Sequence, residues 1–406
     1  MALIVQKFGG TSVGSPEKIC LIADRISKSY YDHNQMVVVV SAMGDTTDEL
    51  IQLAQRVSVC PPHREMDMLL TAGERISMSL LSMALADRKV LAISLTGSQS
   101  GIITDQSHRR ARILKILGDR VRAGLSNNKV VIVAGFQGVS ESREVTTLGR
   151  GGSDTSAVAL AAILRADRCE IYTDVDGVFS ADPRRVPQAK LWKRVSHDVM
   201  VELATRGAGV LHPRSVELAK QYQVPLRVKN SLNDHEGTMI GPRKSTQKAD
   251  GESDMEEFGV TGTTFDSNKF LVRVKLSRST VLNSLWDLAS HLHLSVVAPV
   301  FSEGEVWFFS DREAEGEWRR SLEELVRDGF IQSYRLCMET VPLSVVGDRF
   351  SQDGKALYEV ISVLEKENIQ VTLGSASALA ITVGVSQNRA EDGVKALHKE
   401  FLEDRV

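Results

Sequence analysis

A chain of 406 residues, 42% hydrophobic and 25% charged, has the composition of a globular protein and the length for two or three domains, which excludes a minimal binding module and a disordered tail. Its 49 Lys and Arg against 52 Asp and Glu leave a net charge of -3, so no basic surplus exists for a nucleic-acid backbone and any bound anion must be met locally. Cys20, Cys60, Cys169 and Cys337 form no Cys-x-x-Cys pair, which speaks against a zinc site or a disulfide framework and fits the cytoplasm. The N-terminal segment has no basic stretch leading into a long apolar run, and no stretch reaches about 18 consecutive apolar residues, so neither export nor a membrane span is expected.

In chain order, a β-branched strand over Leu3 to Phe8 precedes a helical spacing from Glu17 to Ser29 and a strand from Met36 to Ala42. A helix from Thr71 to Leu85, strands at Val90 to Leu95 and Lys129 to Phe136, a helix from Thr155 to Arg165, and strands at Glu170 to Val175 and Pro225 to Lys229 follow. Near-continuous apolar strands alternating with helices predict an α/β fold with a mostly parallel sheet covered on both faces, over residues 1–242. Residues 243–258 are polar, charged and without apolar periodicity, and read as a linker. Beyond them come two small α+β modules, 259–340 and 341–406. The first has a strand at Phe270 to Leu276, a helix at Thr280 to His291, strands at Leu294 to Phe301 and Glu305 to Phe309 and a helix at Glu315 to Arg327. The second has a strand at Val341 to Val346, a helix at Lys355 to Glu367, strands at Gln370 to Leu373 and Ala378 to Val383 and a helix at Ala390 to Phe401.

In open parallel sheets ligands bind beyond the carboxyl ends of the strands. The first strand runs into Lys7-Phe8-Gly9-Gly10-Thr11-Ser12, where glycines let backbone N–H groups approach an anion and Lys7 adds a compact charge; a mere tight turn is the alternative. The second delivers Ser41-Ala42-Met43-Gly44-Asp45-Thr46-Thr47-Asp48, suited to a polar substrate or to capping a helix. Glu74 follows Gly73 at a predicted helix start, where the helix dipole alone could account for it. Thr146-Thr147-Leu148-Gly149-Arg150-Gly151-Gly152-Ser153-Asp154 sets an arginine among three glycines, a setting for a bidentate grip on a carboxylate rather than for packing. Asp174, in Thr173-Asp174-Val175-Asp176-Gly177, is the acid least explained by turn formation.

A phosphate cradle with a lysine, a carboxylate-gripping arginine and acidic groups, without a Ser-His-Asp arrangement, suits phosphoryl transfer with magnesium on the phosphates. A carboxylate acceptor is already ionised at neutral pH and needs no general base. These segments, with Gly73-Glu74-Arg75, Thr173 to Arg184 and Gly209-Val210-Leu211-His212-Pro213, resemble the aspartate kinases of the amino-acid kinase family nearly end to end. Related kinases of glutamate, acetylglutamate or nucleotides lack the combination of Lys-Phe-Gly-Gly-Thr-Ser and Thr-Leu-Gly-Arg-Gly-Gly-Ser-Asp. The resemblance implies ATP-dependent phosphorylation of the L-aspartate side chain, the first step toward lysine, threonine and methionine.

It also implies roles. Lys7, Phe8, Gly9 and Gly10 would hold the ATP phosphates, with Lys7 and Asp174 catalytic. Ser41, Thr47, Glu74, Arg150, Gly151, Gly152, Ser153 and Asp154 would bind aspartate, Arg150 taking the α-carboxylate and Glu74 and Asp154 the ammonium. Thr173, Asp174, Phe179, Arg184, Gly209 and Val210 would line the nucleotide site, Phe179 standing where many members have tyrosine. The C-terminal modules resemble ACT domains, which implies an amino-acid effector, lysine or threonine, and homo-oligomers formed through the modules. Ser277-Arg278-Ser279-Thr280-Val281 departs from the family's usual Asp-x-Pro-Gly turn. A catalytically silent sensor, or a kinase of another acid, is the competing reading; the retained Lys7, Glu74, Arg150 and Asp174 speak against the first.

Overall fold

The computed structural model describes residues 2–242, 259–277, 282–292, 294–348, 350 and 354–404. The linker expected over 243–258 and all but Ser277 of the departed turn lie outside the described residues. Two compact units emerge, one of Met1–Val178, Leu191–His197 and Val210–Ser245, the other of Phe179–Lys190, Asp198–Gly209 and Thr246–Val406, in their described residues. No described helix is long and apolar enough to cross a membrane.

The first unit opens with β1 (Leu3–Phe8), α1 (Pro16–Tyr31), β2 (Gln35–Val40), α2 (Thr46–Val57), α3 (His63–Leu70), α4 (Ala72–Asp87) and β3 (Ala92–Leu95). It continues with β4 (Ile102–Thr104), β5 (Ile113–Ile116), α5 (Asp119–Ser126), β6 (Val130–Ala134), β7 (Gln137–Ser140), β8 (Val145–Thr147), α6 (Gly152–Leu164) and β9 (Arg168–Thr173). After β10 (Arg194–Ser196) comes α7 (His197–Thr205), which past His197 belongs to the second unit, and then α8 (Pro213–Gln221), β11 (Leu226–Asn230) and β12 (Thr238–Gly241) of the first.

An eight-stranded sheet in the order β10-β12-β11-β9-β1-β2-β6-β3 is parallel except where β11 meets β12. This is the α/β class the alternation predicts. Its central strands are buried on both faces, which is why β2 and β6 read as unbroken runs of valine and isoleucine. On one face α1, capped by Ser15 with Pro16 in its first turn, presents Ile19, Ile22, Ala23 and Ile26 to a core shared with Leu81 and Leu85 of α4 and Ile4, Phe8 and Ile132 of the sheet. Across the sheet, α6 contacts β1, β2 and β9 through small residues buried almost all round. A second sheet, β5-β4-β7-β8, has short strands that the sequence reading does not resolve, and its last residue is Thr147.

The second unit holds β13 (Gly259–Phe265), β14 (Lys269–Leu276), α9 (Leu282–His291), β15 (Val297–Ser302), β16 (Glu305–Asp311), α10 (Glu315–Arg327), β17 (Ile331–Cys337), β18 (Thr340–Asp348), α11 (Lys355–Lys366), β19 (Leu373–Ala376), β20 (Ala380–Ser386) and α12 (Ala390–His398). Its sheets run β15-β16-β14-β17 and β13-β18-β20-β19. Two differences from the expected modules stand out. β13, which the sequence reading assigns to the first module, pairs antiparallel with β18 of the second, and β17 adds an unexpected strand to the first. β13 therefore enters one sheet before the chain completes the other.

Residues 179–190 and 198–209, read as part of the first domain, pack into this second unit instead. Ser180 Oγ lies 2.9 Å from His398 Nε2, and His398 Nδ1 lies 2.7 Å from Glu403. Lys190 donates to the Leu402 carbonyl at 2.7 Å, and Arg206 donates to Thr382 at 2.6 Å. These bonds join residues far apart in sequence, which a local reading of domain boundaries does not register.

Candidate active site

In the first unit the ends of β9, β1, β2 and β6 lie side by side, and the starts of α4 and α6 meet them. The backbone after β1 is laced to its neighbours: Gly9 N donates to the Tyr172 carbonyl at 3.3 Å and Gly44 N to the Gly10 carbonyl at 3.0 Å. Phe8 is enclosed, its ring stacked on Tyr172 with centroids 4.6 Å apart, so its side chain serves the core. Ser12, missed as a candidate, is buried beside this loop with a hydroxyl that has no partner among the described residues.

Lys7 and Asp154 form an ion pair, 2.7 Å from Nζ to Oδ1, with each side chain 12% exposed. Asp154 stands in the first turn of α6, where the helix's N-terminal field favours negative charge. Asp154 thus meets Lys7, whereas the sequence reading gives it the ammonium of a substrate. The helix starts at Gly152, three residues earlier than expected, so Ser153 and Asp154 belong to a rigid turn rather than to a loop. Gly151 caps it with φ of 66°, and a side chain there would run into the His212 ring.

Glu74, in the first turn of α4, is 3% exposed. One oxygen accepts from Ala42 N at 3.1 Å, and Oε2 has no partner among the described residues. Burial pushes its carboxyl up to about 7, against the opposing pull of the Glu74 and Ala42 backbone N–H groups. Helix-dipole stabilisation alone does not explain a carboxylate held this way. Ser41 and Thr47 are half-buried nearby in sequence, Thr47 in the first turn of α2. Asp45 holds the N-cap position of α2 but its side chain makes no capping bond.

Arg150 is exposed between Gly149 and Gly151, both with positive φ. Behind it Leu148 N donates to the Phe136 carbonyl at 2.8 Å, and Arg214 donates to the Leu148 and Ala111 carbonyls, each at 2.9 Å. At the end of β9, Thr173 Oγ1 donates to Asp174 at 3.0 Å, and Asp174 is exposed. Asp176 is held by Asn230 and Asn233, each at 2.8 Å, the turn role the sequence allowed. Val210 belongs to this unit; Phe179, Arg184 and Gly209 belong to the second, where Arg184 pairs with Asp182 at 3.0 Å.

Lys229 was not singled out from the sequence. It ends the predicted strand Pro225 to Lys229, registers with Tyr172 on β9 and lies 5.9 Å from that ring, and burial holds its pKa below the usual lysine range. A lysine at the carboxyl end of a strand bordering the crevice was the available signal. Lys7, paired with Asp154, and Lys229 stand at the ends of β1 and β11, on either side of β9, and the α6 N-terminus adds backbone N–H groups, donors of the kind an anionic phosphate chain requires.

The family model for the amino acid kinase family matches residues 2–230. The aspartokinase of Geobacillus stearothermophilus is 42% identical over 99% of this chain and 97% of its own length, and aspartokinase 2 of Bacillus subtilis is 42% identical over 99% and 98%. Among solved structures, the aspartate kinase of Synechocystis is 36% identical, with a TM-score of 0.56, over 98% of this chain and 69% of that one. Aspartokinase III of E. coli, solved with aspartate and ADP, is 24% identical with a TM-score of 0.86 over 99% and 100%, a likeness of fold. The chain therefore belongs to the amino acid kinase family, the class its sheet and strand-end site define. Within that family it groups with the aspartokinases, and it is an ATP-dependent kinase.

Proposed function

We propose that this enzyme transfers the γ-phosphoryl group of ATP to the β-carboxylate of L-aspartate, giving 4-phospho-L-aspartate, the first step toward lysine, threonine and methionine. The observation that carries the reading is Glu74: a buried carboxylate with one unoccupied oxygen, at the mouth of a phosphate-binding strand end, meets the ammonium of an amino acid. The names of the full-length relatives support it.

In this reading Lys7, steadied by Asp154, faces the transferring phosphoryl group, and Gly9 and Gly10 with the α6 N-terminus approach the phosphates. Arg150 takes the α-carboxylate in a fork, Ser41, Thr47, Gly151, Gly152 and Ser153 border the substrate, and Thr173, Asp174 and Val210 border the nucleotide. Lys229 adds a second cation. Magnesium would arrive on the nucleotide: no three His, Cys, Asp or Glu side chains converge among the described residues, so phosphate oxygens would supply most of its ligands, and the ion would neutralise charge on them. The second unit would bind lysine or threonine as a feedback effector and join copies of the chain.

The test is ADP release measured with aspartate, glutamate or no amino acid. Turnover that depends on aspartate supports the reading, and equal turnover with glutamate overturns the substrate.

A further inference from the structure

We propose that Asp67 is a positioning residue that sets the loop carrying Arg150, and so tunes recognition of the substrate's α-carboxylate; this rests on the reading of Arg150 given above. Asp67 lies on α3 beside Met66 and Leu70, on the helix's buried face, and its exposure is 0%. A carboxylate in such a place is costly unless every oxygen is engaged, and here every oxygen is. Oδ1 accepts from Thr147 Oγ1 at 2.6 Å and from Arg109 N at 3.1 Å. Oδ2 lies 2.6 Å from His108 Nδ1 and 3.2 Å from Arg109 N.

Both sets of partners lead to Arg150. Thr147 ends β8, three residues before the arginine, and its carbonyl accepts from Ala111 N at 2.9 Å. The Arg109 carbonyl sits under Gly149, where an added Cβ would come within 2.8 Å of it at φ of 76°. One side chain therefore fixes the strand end from which the Arg150 loop leaves and the segment against which it rests. A leucine would fill the same space on α3 but would hold neither. Small displacements of a gripping group cost binding steeply, so the effect belongs in the KM for aspartate rather than in the fold.

The experiment compares Asp67→Asn, Thr147→Val and their double variant with Arg150→Lys, measuring kcat, both KM values and the thermal midpoint in the full-length enzyme. Asn keeps the shape and one acceptor, and Val removes only the hydroxyl, so a folded protein is available even if one variant is lost. Each single change is expected to raise the KM for aspartate about 10-fold, with kcat and the KM for ATP within about 2-fold, and the double variant to be no worse than Asp67→Asn alone, because the Thr147 hydroxyl acts on the loop through Asp67. Thr147→Ser, which keeps the hydroxyl, is expected to restore the KM. Unchanged KM for aspartate, additive effects, or parallel losses in both KM values would overturn the positioning role. If Arg150→Lys itself leaves the KM for aspartate unchanged, the reading of Arg150 fails instead, and the two failures are told apart.

Discussion

Glu74 carries the clearest pH signature at the scale of single residues. With its folded pKa raised to about 7 from the ordinary 4.5, the folded protein holds a proton that the unfolded chain has already released. Stability from this group is therefore complete below about pH 4.5 and is lost as pH rises toward 7, by about 3 kcal/mol in all, since each tenfold displacement of a proton equilibrium is worth about 1.4 kcal/mol. Glu74→Gln removes that dependence: the stability difference, variant minus parent, should grow by about this amount between pH 4.5 and 8, read from denaturant unfolding at each pH. Binding runs the other way. An ammonium requires the ionised carboxylate, so the KM for aspartate in the parent should climb toward tenfold per pH unit well below 7, where aspartate's own groups barely titrate. A flat KM between pH 5.5 and 8 would remove Glu74 from the ammonium site. Lys7→Ala leaves the buried Asp154 without its partner and should lower the thermal midpoint of a protein that still folds, while lowering kcat at least about 100-fold, because a preplaced charge on the transferring group contributes several kcal/mol; near-parental kcat would refute the role. Lys7, Glu74 and Arg150 stood out in the sequence as candidates because glycines and strand ends mark them. The pairing of Lys7 with Asp154, and the whole Asp67 network, were not, since each joins partners more than a hundred or several tens of residues apart.

Elements with strong periodicity were read close to their true limits. β1 spans Leu3–Phe8 and α10 Glu315–Arg327, as the sequence predicts. The short strands β4, β5, β7 and β8 escaped because three or four residues carry too little alternation to mark them. Among the glycines at helix starts, Gly316 and Gly151 make opposite predictions. Gly316, exposed in the first turn of α10 with open space around its Cβ position, should accept alanine with a gain of about 0.4–1 kcal/mol and unchanged kinetics. Gly151, with positive φ and His212 against it, should not: Gly151→Ala is expected to cost about 1–3 kcal/mol and to disturb the α6 N-terminus on which Ser153 and Asp154 stand. Thermal unfolding of the two variants checks both, and equal midpoints would contradict the pair.

At the scale of the whole molecule, Trp286, Trp307 and Trp318 all lie in the β14–β17 module, in three different settings. Trp318 is buried and donates to Ser310 at 2.8 Å, Trp286 meets Phe301 and Phe308, and Trp307 lies under Arg273, 3.6 Å from the ring centroid. If the second unit exerts the proposed feedback control, an amino acid that binds it and favours one of its arrangements should change tryptophan emission and substrate affinity together, the latter by about 1–3 kcal/mol, because coupling between two sites is reciprocal. Titrating lysine and threonine while recording emission and the KM for aspartate is expected to give coincident curves, weaker than usual for the family if the departed turn at 277–281 matters. Emission that responds without any change in KM would refute feedback control. The amino-acid sequence by itself determined the alternating strands and helices, the parallel sheet, the glycine-rich strand ends and the candidates proposed to face a phosphate and a carboxylate, because those signals lie within a few neighbouring residues. Only the tertiary structure decided that β13 crosses into the sheet of β18, that residues 179–190 and 198–209 pack with the C-terminal modules, and that a buried aspartate seats the arginine loop. Those features depend on which distant surfaces bury each other and which buried polar atoms find partners, a requirement set by the folded interior as a whole.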